Sequence, residues 1–262
     1  MNSVHFTSDI GEHTVVVTRV AETQWHAVED GRVVGRGEAS RRPDGRLFLS
    51  ADAWHGAVFD ELAGAMLAVL PKPLYTVVDE ADLELRPSWE RAGFTIRRRE
   101  WEYLVPTTGL GPVPPPAGVT ILAAGEVEME PLRALDLAIR HEVEATVGWR
   151  EMPAEVLPRP EGVTVLDPSK YVVAARHDHY VGMVRLAPMP RRQPRIGLIA
   201  VRADQRRRGI ARSLLAHALG SLHGRGIETA SAEVNESNVA ATALLDGAGA
   251  RRASSNLELV FA

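Results

Sequence analysis

Apolar positions along this chain recur at two periods, and the change from one period to the other marks out its elements. Over residues 126–143, Met129, Leu132, Leu135 and Ile139 fall at three- and four-residue intervals. That spacing puts them on one face and predicts an amphipathic helix. YVVAAR and YVGMVRL, joined by His177-Asp178-His179, are short β-branched runs that read as a hairpin. IGLIAV, residues 196–201, is an uninterrupted apolar run and predicts a buried strand. Ile210, Leu214, Leu215, Ala218 and Leu222 then share one face of a helix over 209–223. TASAEV predicts a further strand, residues 237–248 a helix and LELVFA a closing strand. With a short strand at 119–122, helices and strands alternate, and the fold class is α/β (α+β) around a mixed sheet.

TTGLGPVPPPAG, residues 107–118, interrupts both periods. So many prolines and glycines form neither a helix nor a central strand, and the stretch reads as a stiff linker. The predicted division is a first domain over 1–107, a linker over 108–117 and a second domain over 118–262.

Composition narrows the function classes. The 262 residues are 45% hydrophobic and 24% charged, enough to bury a sizeable core. No apolar run approaches the ~20 residues of a membrane span. The first residues lack the layout of a signal peptide, so a cytoplasmic protein with no membrane partner is expected. There is no cysteine, which excludes disulfides, thiolate metal sites and cysteine nucleophiles. His177-Asp178-His179 sits in a two-strand turn without convergent ligands, so no metal is expected. A net charge of -4 suits a nucleic-acid backbone poorly, and no nucleic-acid partner is expected. Arginines nevertheless cluster at Arg97 to Arg99, at Arg191, Arg192 and Arg195, and at Arg206 to Arg208. The first run alternates along a strand and is expected to be solvated. The last directly precedes Gly209, where a helix begins, and such a cluster on an acidic protein points to one small polyanion.

A strand that runs into a glycine turn and then a helix aims several free N–H groups at one point, and the helix dipole adds attraction for phosphate. Gly209 permits close backbone approach, Ala211 keeps the first turn uncrowded, and the arginines add bidentate donors. The site suits a pyrophosphate. Here Arg206-Arg207-Arg208-Gly209-Ile210-Ala211 resembles the acyl-CoA signature R/Q-x-x-G-x-G/A of the GCN5-related N-acetyltransferase (GNAT) family. Asn238, Ala241, Leu244 and Gly249 resemble the family's second motif, N-x-x-A-x-x-L-Y-x-x-x-G-F. The resemblance covers residues 118–262. It implies a sheet with splayed central strands, with acetyl-CoA bound by the backbone of Ile199, Ala200 and Val201, by Arg206 to Ala211 and by Asn238. It also implies acetyl transfer to an amine by direct attack.

For the base that takes the amine proton, the candidate is Glu233, five residues before Asn238. Glu142 and Glu144, at the end of the first helix of this half, are the alternatives. Trp149 lies in the loop where the family binds its acceptor, close in sequence to Glu142, Glu144 and Glu151. Either it stacks on a cationic amine or it packs on the core. The family's tyrosine, its usual proton donor, is replaced by Leu245, and Ala250 follows Gly249. In residues 73–106, Asp82, Leu85, Trp89 and Gly93-Phe94 resemble the second motif again. No arginine precedes Gly56, the counterpart of Gly209, so the first half reads as a shortened, cofactor-free copy. The expected activity is N-acetylation of a small-molecule primary amine. A peptide amine and a non-catalytic acyl-CoA sensor are the alternatives, and monomer and homodimer both stay open.

Overall fold

In a computed structural model, residues 6–10, 13–42, 44–152, 166–189 and 193–262 are described. They form a mixed α/β structure whose chain divides into two compact units, Met1–Arg99 with Ser255–Ala262 and Glu100–Ser254.

The first unit begins with β1 (Phe6–Ile10), β2 (His13–Ala21), β3 (Gln24–Glu29), β4 (Arg32–Arg41) and β5 (Leu47–Ala53), each antiparallel to the one before. Helix α1 (Gly56–Val69) crosses to β6 (Leu74–Asp79), which runs parallel to β5, and α2 (Leu85–Arg91) leads into β7 (Thr95–Pro106). Strands β1 and β2 carry no signal that the apolar periodicity picked out, while the strand expected over Arg97 to Arg99 is the start of β7. Helix α1 buries Val58, Phe59, Leu62, Ala63, Ala65 and Met66. It lies so close to β4 that a Cβ at Gly37 would stand 2.5 Å from the Met66 sulfur, so a larger residue there forces the buried Met66 side chain to move. Trp89 packs edge-on against Phe59 and Phe94, with ring centroids 4.9 and 4.8 Å away. Aromatic pairs in this geometry add to the burial term.

The second unit holds β8 (Thr120–Leu122), α3 (Met129–Glu144), β9 (Tyr171–Arg176), β10 (His179–Ala187), β11 (Arg195–Val201), α4 (Ile210–His223), β12 (Thr229–Asn235) and α5 (Val239–Asp246). The last strand, β13 (Arg251–Phe261), ends antiparallel to β6, with Leu257 opposite Val78 and Leu259 opposite Thr76. Helix α3 starts at Met129, three residues later than the periodicity suggests. The Glu126 carboxylate accepts the Ala123 N–H, and the Glu126 N–H donates to the Ala123 carbonyl. A closed turn therefore precedes the helix. One side of the sheet packs Val172, Ala174, Val184, Ala230, Ala232 and Val234 with Leu214, Leu215 and Ala218 of α4. On the other side Leu132, Leu135 and Ile139 of α3 meet Tyr171, Val173 and Met183.

The proline-rich stretch is anchored within the second unit. Thr107 is buried and its hydroxyl donates to the Ile227 carbonyl at 2.8 Å, while Ser213 Oγ donates to the Pro114 carbonyl at 3.1 Å. Among the described residues no helix is long and apolar enough to cross a membrane.

The expected solvation of Arg97 to Arg99 is corrected. Arg98 is only 8% exposed, and both it and Arg97 bind the buried Glu258 carboxylate, at 3.0 and 2.7 Å. Arg46 meets the same carboxylate at 3.0 Å, and Arg99 pairs with Glu80 at 2.7 Å. The Glu258 carboxylate, supplied by β13, is what draws Arg97 and Arg98 inward, and Glu80 does the same for Arg99.

Candidate functional site

Two parallel strands that part company create the candidate site. Strand β11 is paired along its whole length with β10, from Arg195 opposite Ala187 to Val201 opposite Gly182. Strand β12 is paired along its whole length with β7, from Thr229 opposite Pro106 to Asn235 opposite Glu100. Between β11 and β12, Arg195 opposite Ser231 is the one register pair, closed by the Ser231 N–H donating to the Pro194 carbonyl at 2.9 Å. Beyond it the strands diverge, so each offers an inner edge on which an extended chain finds backbone donors and acceptors. Ile199 and Ala200 are only half-buried there, and Val201 is buried.

Where β11 ends, the chain turns through a short 3-10 segment, Ala203–Gln205, into α4. Gly209 caps the helix with φ 85, and Arg207 also has a positive φ, 61. A left-handed conformation is ordinary for glycine and uncommon for arginine. Alternating handedness turns successive N–H groups toward one side and forms a concavity that suits an anion. The first helical bond runs from the Ser213 N–H to the Gly209 carbonyl at 3.1 Å. The N–H groups of Gly209, Ile210, Ala211 and Arg212 therefore lie ahead of it, at the positive end of the helix dipole. The Ile210 side chain is buried in the core and anchors the turn, while Arg206, Arg207 and Arg208 are exposed. Arg206 Nε donates to the Val201 carbonyl at 3.0 Å, and Arg208 Nη2 to the Asp204 carbonyl at 3.2 Å. The Gln205 side-chain amide, and then the charges of Arg202 and Arg208, hold the Asp204 carboxyl below the usual carboxylate range.

Asn238 caps α5, its side-chain oxygen accepting the Ala241 N–H at 3.1 Å. Among the described residues nothing accepts from its amide nitrogen, which stays exposed beside the exposed Val239. Leu245 is buried in the core and offers no proton. The phenols of this unit are otherwise engaged. Tyr180 Oη accepts the Glu128 N–H, Tyr103 Oη accepts from Arg252 Nε, and Tyr171 is buried against α3. Burial pushes the Tyr171 hydroxyl above the ordinary phenol value.

The three carboxylates singled out as bases occupy different surroundings. Glu233 lies on the inner part of β12 with its Oε1 2.6 Å from Arg195 Nη2. Glu142 receives Arg202 Nε at 2.9 Å and the Ala203 N–H at 2.8 Å, and so belongs to the turn before α4. Glu144 accepts the Trp149 N–H at 3.2 Å. Trp149 itself is 8% exposed, its indole N–H donates to the Arg140 carbonyl at 3.2 Å, and the Arg140 guanidinium stands 5.0 Å from its ring. Its packing is that of a core residue, and a cation of the protein already covers it.

Glu102 was not a candidate in the sequence. It stands on β7 directly opposite Glu233 and accepts from Ser254 Oγ at 2.7 Å. Next to this pair, Asn235 Nδ2 donates to the Glu151 carbonyl at 3.2 Å. The splayed strands thus lead toward a polar end built from Glu102, Glu233, Asn235 and the backbone of Glu151. Only strand register could have announced Glu102. Arg191, Arg192 and residues 153–165 of the loop assigned to the acceptor lie outside the described residues.

The fold is one that solved acyltransferases share. A GCN5-related N-acetyltransferase from Sphaerobacter thermophilus superimposes with a TM-score of 0.65 at 18% identity, covering 93% of this chain and 81% of that one. A tandem GNAT protein from the clavulanic acid biosynthesis pathway gives 0.59 at 12% identity, over 94% and 83%. A GCN5-related N-acetyltransferase from Kribbella flavida gives 0.57 at 15% identity, over 92% and 88%. No curated protein matches the sequence with significance. Residues 138–249 match the family model described as the Acetyltransferase (GNAT) family. That match covers less than half of the chain, and acyl transfer from acetyl-CoA is the chemistry general to the matched family.

Proposed function

We propose that this protein transfers the acetyl group of acetyl-CoA to the primary amine of a small molecule, and that the cofactor binds only in the second unit. The single pairing of Arg195 with Ser231, followed by strands that part toward a left-handed arginine turn, carries this reading. An extended pantetheine arm fits the inner edge of β11 at Ile199, Ala200 and Val201. The N–H groups of Gly209, Ile210 and Ala211, with Arg207 and Arg208, fit its diphosphate. The exposed Val239 and the amide of Asn238 would line the arm on the side of α5.

When bound, acetyl-CoA supplies an activated acetyl group as a thioester. An amine reaching the polar end of the cleft is an ammonium at neutral pH, and the carboxylates of Glu233 and Glu102 attract it. Its proton must leave before nitrogen attacks. Glu233, directly or through a water, takes that proton. An N–H on the inner edge of β11 stabilises the developing oxyanion. The C–N bond forms, the C–S bond breaks, and the thiolate takes a proton from solvent, because Leu245 has none to give.

The test is thiol release from acetyl-CoA, followed with a disulfide dye across a panel of amines and short peptides. With no cysteine in the chain, every thiol counted comes from the cofactor. Release with one class of small amine is the expected result, and release only with peptides would move the acceptor to a protein N-terminus or lysine. Glu233→Gln is expected to lower kcat about 100-fold, within the usual span of a general base, and to leave CoA affinity unchanged. Binding without turnover on any amine would favour an acyl-CoA sensor, the reading that the buried Leu245 supports.

A further inference from the structure

We infer that Glu142 is a positioning residue for diphosphate recognition, acting through the turn between β11 and α4 and not on the reacting atoms. The inference rests on the acetyl-CoA reading above. Glu142 sits in the last turn of α3, where the helix dipole favours cations over carboxylates. Its position is offset by three donors that arrive from one segment. Oε1 accepts from Arg202 Nε at 2.9 Å. Oε2 accepts from the Ala203 backbone N–H at 2.8 Å and from Arg206 Nη2 at 3.4 Å. The carboxylate is about one-fifth exposed, so these bonds are only partly screened by water.

The donors are the residues that fix the path of the turn. Ala203 opens the 3-10 segment, and the Glu142 carboxylate satisfies its N–H from another helix, as a capping side chain would. Arg206 is held at both ends of its guanidinium, by Glu142 and by the Val201 carbonyl. Held in this way, Arg206 is folded back onto the strand end, while Arg207 takes its left-handed conformation and Gly209 starts the helix. The side chain that sequence reasoning offered as an alternative base thus braces the anion turn from behind. Its own negative charge faces the arginines, whose remaining donors are left for a polyanion.

Two opposite consequences follow for a substitution, and they separate this inference from simpler ones. If Glu142 only places a negative charge near a polyanion site, neutralising it tightens CoA binding. If it positions the turn, removing it weakens CoA binding, and a neutral side chain that still accepts the Ala203 N–H restores part of the loss. The experiment is calorimetry of CoA with the wild type, Glu142→Ala and Glu142→Gln. Ligand-observed NMR of S-acetylpantetheine, which has the arm but no diphosphate, completes the set. For Glu142→Ala the Kd of CoA is expected to rise about tenfold, the scale of one lost charge-assisted contact. Glu142→Gln is expected to fall between it and wild type, and S-acetylpantetheine binding to change less than about twofold. Tighter CoA binding in either variant overturns the inference. So does an equal loss for both ligands, which would mean that α3 has merely come loose. A wild type that binds S-acetylpantetheine but not CoA, or neither, removes the acetyl-CoA reading itself and this inference with it.

Discussion

Two runs of three arginines lie in this chain, and their fates are opposite. Arg97 to Arg99 in the first unit are drawn onto the carboxylates of Glu258 and Glu80. Arg206 to Arg208 in the second stay exposed around a turn with two left-handed residues. The surrounding frames nevertheless correspond. In both units a parallel strand pair opens after one or two register pairs, β5 with β6 at Leu47–Leu74 and Phe48–Tyr75, β11 with β12 at Arg195–Ser231. In both, a polar residue ties in the next helix three residues on: Asp82 Oδ1 accepts the Leu85 N–H, and Asn238 Oδ1 accepts the Ala241 N–H. Seven residues past it stands a buried side chain, Trp89 or Leu245, and eleven past it a left-handed glycine, Gly93 or Gly249.

What differs is the filling. Only Trp54 and His55 separate β5 from α1, and His55 is fully extended with φ -155. Neither connecting residue is an arginine or left-handed, and the guanidinium nearest Gly56, that of Arg91, pairs with Asp60 at 3.3 Å. Within the opening between β5 and β6, Thr76 Oγ1 donates to the Leu49 carbonyl at 2.9 Å, so the protein satisfies its own backbone where a ligand would otherwise be needed. Val77 stands where Glu233 stands in the other unit, each five residues before the capping side chain. The splay is a property of the backbone plan. On the reading proposed above, the capacity for an anion resides in a few turn residues, the left-handed Arg207 and Gly209 among them, which have no counterpart at Trp54 and His55.

The sharpest way to break this comparison is to make the same change at both corners. A Cβ at Gly209 meets nothing closer than the Pro116 ring at 3.9 Å, so the cost of a side chain there is backbone strain and charge, not collision. Gly209→Glu is expected to weaken acetyl-CoA binding roughly 100-fold or more, as several donors to one diphosphate are lost together. Gly56→Glu, at the matching helix start, is expected to leave the affinity within about twofold of wild type. Equal losses in calorimetry would mean that the first unit takes part in cofactor binding.

Much of this frame was legible because it is local. The anion turn is six contiguous residues after a buried strand, and the cap, the core position and the glycine of the second motif follow at fixed intervals. What escaped was tertiary. Glu102 reaches Glu233 only through the register of β7 with β12, and Arg98 is buried by a carboxylate from the far end of the chain. Glu142 is a helix-end glutamate in the sequence, and only the fold brings Arg202, Ala203 and Arg206 to it. Trp149 has two readings in the sequence, and only the fold brings the Arg140 guanidinium to 5.0 Å from its ring.

A smaller effect separates shared structure from acquired function. Asn238→Ala is expected to cost about 1 kcal/mol of stability, as a lost helix cap does, and Asp82→Ala about as much, because Asp82 Oδ1 accepts the Glu84 and Leu85 N–H groups ahead of α2. Only Asn238→Ala should also raise the KM for acetyl-CoA, since its amide nitrogen is free to reach the cofactor. Urea denaturation with steady-state kinetics on both variants decides this. A raised KM in Asp82→Ala would show that this turn of the first unit is more than structural.

The smallest effect lies in the charges of the first unit. The Arg99 guanidinium, first, and the Ser255 hydroxyl, second, hold the Glu80 carboxyl below its ordinary value of 4.5. A carboxyl whose folded value is lowered binds its proton more weakly in the folded chain than in the unfolded one. Its contribution to stability is therefore complete above 4.5 and disappears as the pH falls through the lower folded value. Because Glu80 and Arg99 are partly exposed, at 25% and 31%, water screens the pair and the contribution stays below about 1 kcal/mol. Glu80→Gln should thus be slightly less stable than wild type in urea at neutral pH, with the gap narrowing as the pH falls below 4.5. A gap that widened on acidification would reverse the sign of the linkage. It would also mean that Arg99 of the first arginine run is not spent on holding Glu80 ionised.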